Sequence, residues 1–176
     1  AASDVYKRQV ITKYGIDPSK VVTVHNAVDF SGRSEIQVER GVKEKVVTFL
    51  GRITFQKGPE YFIEAAAKVL KKCKNVRFVM AGSGDMMNRS IRQVARLGIS
   101  DRFHFTGFLR GAEVQKMFAL SDVYVMPSVS EPFGISPLEA MRSGVPSVIS
   151  RQSGAAEVLK YAFKVDFWDV DAMADE

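Results

Sequence analysis

Cysteine is nearly absent from this sequence: Cys73, in the run Lys71-Lys72-Cys73-Lys74, stands alone among 176 residues. A single thiol excludes an internal disulfide and any metal cage built on cysteine. Histidine is almost as scarce, and His25 and His104 lie too far apart for the paired ligands of a zinc site, so no metal is expected. No run approaches the roughly eighteen apolar residues that cross a bilayer, and no charged start leads into an apolar block with a cleavage site. The cytoplasm is the expected location. Basic–aromatic repeats and zinc-finger spacings are missing too, and the net charge of +5 is scattered over several segments. That argues against nucleic acid and leaves an anionic small ligand or peripheral contact with the inner face of a membrane.

What is present suffices for a core, since 46% of the residues are hydrophobic. Residues 1–9, with Asp4-Val5-Tyr6-Lys7-Arg8-Gln9 inside them, read as a non-native, adapter-derived lead. The last residues, from Asp169 to Glu176, begin a helix with no stop signal, so the chain reads as a piece cut at both ends. Residues 10–44 read as a connection. Within it a short helix closes at Tyr14-Gly15-Ile16-Asp17-Pro18, residues 20–24 read as a strand, and residues 31–44 are polar and without period.

From residue 45 strands and helices alternate. Strands are expected at 46–50, 76–80, 103–105, 123–126 and 146–149. Helices are expected from Pro59, from Asp85 (as cap) through Leu97, over 111–120, from Pro137 to Ser143-Gly144, and near 155–159. The βα unit recurs about five times, and the strands lack a polar face. This pattern predicts an α/β fold with a Rossmann-like parallel sheet covered by helices on both faces. In such sheets ligands bind beyond the carboxyl ends of the strands. Gly51-Arg52, Gly82-Ser83-Gly84, Thr106-Gly107, Pro127 to Glu131 and Gln152-Ser153-Gly154 each follow a predicted strand, so five loops should meet on one rim.

The rim carries suggestive chemistry. In Gly51-Arg52-Ile53-Thr54-Phe55-Gln56-Lys57-Gly58, Arg52 offers a planar fork of donors and Lys57 a point charge, a pair suited to a diphosphate without metal. Gly82-Ser83-Gly84 lacks a third glycine, since Met87 occupies that place, and its glycines would let backbone approach a ligand. His104, between Phe103 and Phe105, reads as structural. Phe108 reads equally as core or as part of a binding loop. In Ser130-Glu131-Pro132-Phe133-Gly134-Ile135-Ser136-Pro137-Leu138-Glu139-Ala140-Met141, Ser136 is the expected N-cap and Pro137 opens the helix. The helix start offers amides to an anion. Glu131 and Glu139 flank it, and carboxylates beside a phosphate must face hydroxyls, such as a sugar on one side and a ribose on the other. Glu139 reads equally as the capping-box partner of Ser136.

Glu131 and Glu139, with seven residues between them, and the inner Pro132-Phe133-Gly134 and Leu138-Glu139-Ala140, resemble the E-x7-E motif of retaining glycosyltransferases of family 4, the group 1 glycosyltransferases. Gly51-Arg52 with Lys57-Gly58 resembles that family's G-R-x-x-x-x-K-G, and Thr106-Gly107-Phe108-Leu109 its loop beside the nucleobase. Asn26, Val28 and Asp29 match its P-N-G-V-D segment, from which His25 and Ala27 depart. The resemblance covers residues 20–160 and implies the C-terminal, donor-binding half of a GT-B fold. It does not extend to residues 161–168.

The resemblance further implies transfer of a hexose from a nucleoside-diphosphate sugar to a glycan, glucan or lipid acceptor with retention of configuration. The acceptor would be held mainly by a separate N-terminal domain, without which transfer is not expected. Glu131 would be catalytic, and Gly51, Arg52, Lys57, Gly82, Leu109, Glu131, Phe133, Gly134, Ile135 and Glu139 would bind the donor. No cofactor is implied. A sugar-nucleotide epimerase of the same architecture and a non-catalytic nucleotide-sugar-binding module are the competing classes.

Overall fold

In the computed structural model residues 2–29 and 38–176 are described. Part of the 31–44 connection therefore lies outside the described residues. The first helix, α1 (Ala2–Tyr14), runs through the stretch the sequence sets apart and ends where expected, with Gly15 at φ +62°. The strand expected at 20–24 does not form. Residues 18–20 make a short 3-10 turn and residues 21–29 have no regular structure. A strand needs a neighbour to bond with. None of the sheet's strands runs beside this segment, and Val22 and Val24 are 77% and 87% exposed.

The remaining chain follows the predicted alternation: β1 (Lys45–Leu50), α2 (Pro59–Lys72), β2 (Val76–Ala81), α3 (Met87–Arg96), β3 (Phe103–Gly107), α4 (Ala112–Leu120), β4 (Val123–Met126), α5 (Ser136–Arg142), β5 (Ser147–Ser150) and α6 (Ala155–Val158). A sixth strand, β6 (Phe163–Val165), and a helix, α7 (Val170–Asp175), complete it. β6 leaves no signal in the sequence. Three residues with one buried side chain give no periodicity, and its register against β5 sets it. Asp169 does cap α7, accepting from the Ala172 N–H.

The six strands are all parallel, in the order β3-β2-β1-β4-β5-β6. β1 lies between β2 and β4, so strand order reverses between β1 and β4, and a crevice opens there beyond the strand ends. Alternation along the strands builds two cores. Phe49, Phe78, Val125 and Val148 face α2, α3 and α7 through Phe62, Ala66, Val94 and Met173. Tyr124, Met126 and Ile149 face α4, α5 and α6 through Phe118, Ala140 and Ala155. Both faces are thus covered, as the apolar strands require. Among the described residues no helix is long and apolar enough to cross a membrane.

Candidate functional site

The loops after β1 and β2 pack backbone on backbone. A Cβ on Gly82, at φ +142°, would lie 1.8 Å from the Gly51 carbonyl oxygen, and one on Gly84 would lie 2.3 Å from that of Ile53. These glycines are therefore required first by the neighbouring loop, where the sequence suggested approach to a ligand. Asp85 does not cap α3: Met86 holds that position and no side chain bonds the helix start. The 3-10 turn at Phe55–Lys57 then carries the chain into the loop after β4, where Val129 and Ser130 N–H groups donate to the Gln56 carbonyl at 2.9 and 3.3 Å.

Across this junction the Lys57 ammonium pairs with the Glu131 carboxylate, their side chains 23% and 9% exposed. The loop after β5 grips the same stretch, since Gly154 N–H donates to Glu131 O at 3.0 Å and Ala155 N–H to Phe133 O at 2.7 Å. Glu131 is thus fixed at its backbone by β5 and at its carboxylate by the β1 loop. Two further hydroxyls, Thr54 Oγ1 and Ser128 Oγ, are buried in these loops without a protein partner.

The expected capping box is absent. Ile135 is the N-cap of α5 and no side chain caps the helix. That places Ser136 and Pro137 inside the first turn and Glu139 one position too late to reach back. α5 is also seven residues long with Pro137 removing one amide, so side chains must supply most of any anion site.

A cavity of about 590 Å³ opens between the β1 loop, α4 and α5. Gly51, Arg52, Gly82, Leu109 and Glu139 of the predicted set line it. Lys57, in the β1 loop, and Glu131, Phe133, Gly134 and Ile135, in the loop after β4, lie outside its lining. Phe133 is buried, Gly134 turns at φ +90° against the Met126 side chain, and Ile135 is 44% exposed. Phe108 lines the cavity and is 61% exposed, with the Arg110 guanidinium 5.0 Å from its ring centre, so it is no core residue.

Arg142, Ser143 and Gln115 line the cavity and were not foreseen. The signal was available for two of them, because Arg142 and Ser143 follow Glu139 by three and four residues and share its helix face. Arg142 also donates to the Asp29 carbonyl at 3.0 Å, and His25 lies with its ring 5.8 Å from that of Phe133. The segment before the domain is thus tied to both ends of the motif. Among the described residues no group of three or more His, Cys, Asp or Glu could hold a metal ion.

The family model for glycosyl transferases group 1 matches residues 33–175. An uncharacterised glycosyltransferase of Methanocaldococcus jannaschii is 36% identical over 166 residues, covering 88% of this chain and 42% of that protein. The D-inositol 3-phosphate glycosyltransferase of Mycobacterium tuberculosis is 34% identical over 164 residues, covering 86% of this chain and 33% of that one. The chain therefore spans less than half the length of these relatives. Anabaena HepE, crystallised in complex with UDP and glucose, superposes with a TM-score of 0.83 at 25% identity, over 99% of this chain and 51% of its own. The parallel sheet and its helices are those of the Rossmann-like domain in the GT-B glycosyltransferases, and the chain belongs to the glycosyl transferases group 1 family of sugar-transferring enzymes.

Proposed function

We propose that this domain binds the donor, a nucleoside-diphosphate hexose, in a glycosyltransferase that passes the hexose to a glycan, glucan or lipid acceptor with retention of configuration. The observation that carries this is the placement of Arg52 and Glu139 on walls of one cavity at the strand-order reversal. Arg52 faces the diphosphate and Glu139 the ribose hydroxyls, which suits a cation and an acceptor respectively. Lys57 adds a second charge for the diphosphate, so no metal is needed there. Glu131, held by its neighbours beside this cavity, faces the transferred sugar. The acceptor is bound mainly by a separate domain. The exposed, unpaired thiol of Cys73 suits a reducing, cytoplasmic setting.

A ligand that binds the native state alone raises stability by mass action, about 2.7 kcal/mol at a hundred times its dissociation constant. UDP, ADP, GDP and their hexose conjugates should therefore be compared by thermal shift on this chain. One base should raise the melting temperature, and Arg52→Ala should reduce the rise. No shift with any of the three, or an equal shift in the variant, would count against the reading.

A further inference from the structure

Because the six strands are parallel, their starts share one edge of the sheet, at the end opposite the cavity described above. The segments that enter β1, β2 and β3 meet there. Lys45 N–H donates to the Asn75 carbonyl at 3.0 Å, tying the entry of β1 to that of β2. Arg77 Nη1 donates to the Asp101 carbonyl at 3.4 Å, tying β2 to the 3-10 turn before β3. Between these entries opens a second cavity of about 670 Å³, whose polar lining is Lys43, Glu44, Lys74, Asn75, Arg77 and Arg102. It shares no lining residue with the first.

Glu44 gathers the two arginines. Its Oε1 accepts from Arg77 Nε at 3.0 Å and from Arg102 Nη1 at 3.4 Å, and Arg102 Nε meets Asp101 Oδ2 at 3.3 Å. A hydrogen bond from its own backbone, and then the one from Arg77, hold the Glu44 carboxyl below the usual range against burial, so this anchor stays charged. The Nη2 group of each arginine is left without a hydrogen-bond partner among the described residues. Lys43 and Lys74 are exposed and form no ion pair among the described residues. The helix ends nearby do not need these cations, since Lys71 and Lys72 already face the C-terminus of α2 and Arg96 that of α3. Four cations against two carboxylates leave an excess of two positive charges at one cavity.

We infer that this cluster is a binding site for a phosphate-bearing anion, with Arg77 and Arg102 as forked donors and Lys43 and Lys74 as flexible charges that close on it. A phosphate monoester near neutral pH carries about two negative charges and three acceptor oxygens, which matches both the excess charge and the free donors. A soluble ester and a phospholipid headgroup present this same group. The site does not rest on the donor-site reading, because it lies at the other end of the strands.

The test is a titration of this chain with inorganic phosphate, followed by backbone amide shifts, on the parent, on Lys43→Gln/Lys74→Gln and on Arg52→Ala. Phosphate should move the amides of residues 42–44, 74–77 and 101–102 in the parent, less strongly as sodium chloride is added. The paired lysine change should weaken this response about tenfold, the scale of two exposed charges, and should leave the melting temperature unchanged. Arg52→Ala should respond there as the parent does. Vesicles of phosphatidylcholine containing phosphatidic acid then separate the two sources of phosphate. Sedimentation with them that is lost in the lysine variant assigns the headgroup, and binding of the free ion without sedimentation assigns a soluble ester. Shifts confined to residues 51–58 and 82–84, an equal response in the parent and the lysine variant, or no response to either probe overturns the inference. Each of these outcomes leaves the donor-site reading standing.

Discussion

The Lys57 ammonium pairs with the Glu131 carboxylate across the crevice between β1 and β4, joining the loop expected at the diphosphate to the one expected at the transferred sugar. The lysine is thus not a free cation waiting for phosphate. A diphosphate bound as proposed would compete with Glu131 for the same ammonium, and a carboxylate that loses its partner would be repelled by the phosphate unless a sugar hydroxyl took it up. The pair links the charge proposed to hold the donor to the carboxylate proposed to act on it. Arg52, which lines the cavity and is exposed, has no such tie among the described ion pairs.

Lys57→Ala and Arg52→Ala should therefore differ. The first strands a carboxylate that is 9% exposed and should lower stability by about 1 to 3 kcal/mol. The second should stay within about 0.5 kcal/mol of the parent in stability, and should weaken nucleoside diphosphate binding by about 1.5 to 3 kcal/mol. Denaturant unfolding and calorimetric titration on both variants give the two numbers. Equal stability losses would show that the Lys57–Glu131 pair carries no structural weight.

Glu131→Gln should lower the rate of transfer, measured on a protein that includes the acceptor-binding domain. Affinity for the free nucleoside diphosphate should stay at the parent level or rise slightly, because that ligand has no sugar for Glu131 to contact and Lys57 is released from its partner. A loss of diphosphate affinity as large as the loss of rate would place Glu131 at the wrong end of the donor.

Asp122 offers a test in acid. It accepts from Arg40, from Lys45 at 3.1 Å and from the Val46 N–H at 2.8 Å, tying the connection and β1 to the start of β4. Burial pushes its carboxyl up, but the hydrogen bonds from Arg40, Val46 and Lys45 outweigh it and hold the group at about 2. The folded value lies below the unfolded value of about 3.9, so the stabilisation is complete above that pH and is lost as pH falls through about 2. Asp122→Asn should melt lower than the parent at pH 7, and the gap should narrow from about pH 4 downward. A gap unchanged at pH 2 would mean that shape, not charge, is what Asp122 contributes.

Much of this was legible in the sequence, for physical reasons that differ by element. The strands β1, β2 and β4 announce themselves because both faces are largely buried, so their apolar runs are interrupted only by Thr48 in β1 and Arg77 in β2. α2 shows because Pro59 opens it and Phe62, Ala66 and Leu70 fall on one buried face. What failed was local chemistry that tertiary contacts override. Ser136 has every mark of an N-cap, yet it lies inside the first turn, and Ile135 holds the cap position with no side-chain bond. Asp85 likewise stands beside a helix it does not cap. Val22 and Val24 look strand-like, and no strand order offers them a partner. Lys57 and Glu131 were both singled out, but nothing in their separate motifs says that they meet. That contact depends on β1 and β4 being neighbours, which only the sheet order decides.

Glu139 now lends itself to a sharper test than the sequence allowed. As capping-box partner of Ser136 it would have been structural, and its loss would have lowered stability by roughly 0.5 to 2 kcal/mol. The observed N-cap at Ile135 removes that role, and Glu139 lines the cavity with Arg142 and Ser143. Glu139→Gln should thus leave the melting temperature nearly unchanged while weakening the nucleoside diphosphate. A site built to accept from ribose hydroxyls discriminates strongly against a ligand that lacks one, because its acceptor is then left unpaired. The 2′-deoxynucleoside diphosphate should therefore bind worse than the ribose form to the parent, and about equally well to Glu139→Gln. Affinities of the two ligands for the parent and the variant form a four-cornered cycle whose coupling isolates the Glu139–hydroxyl contact. If the variant keeps the full preference for ribose, the hydroxyls are read elsewhere on the cavity wall, and Glu139 faces something other than the nucleoside.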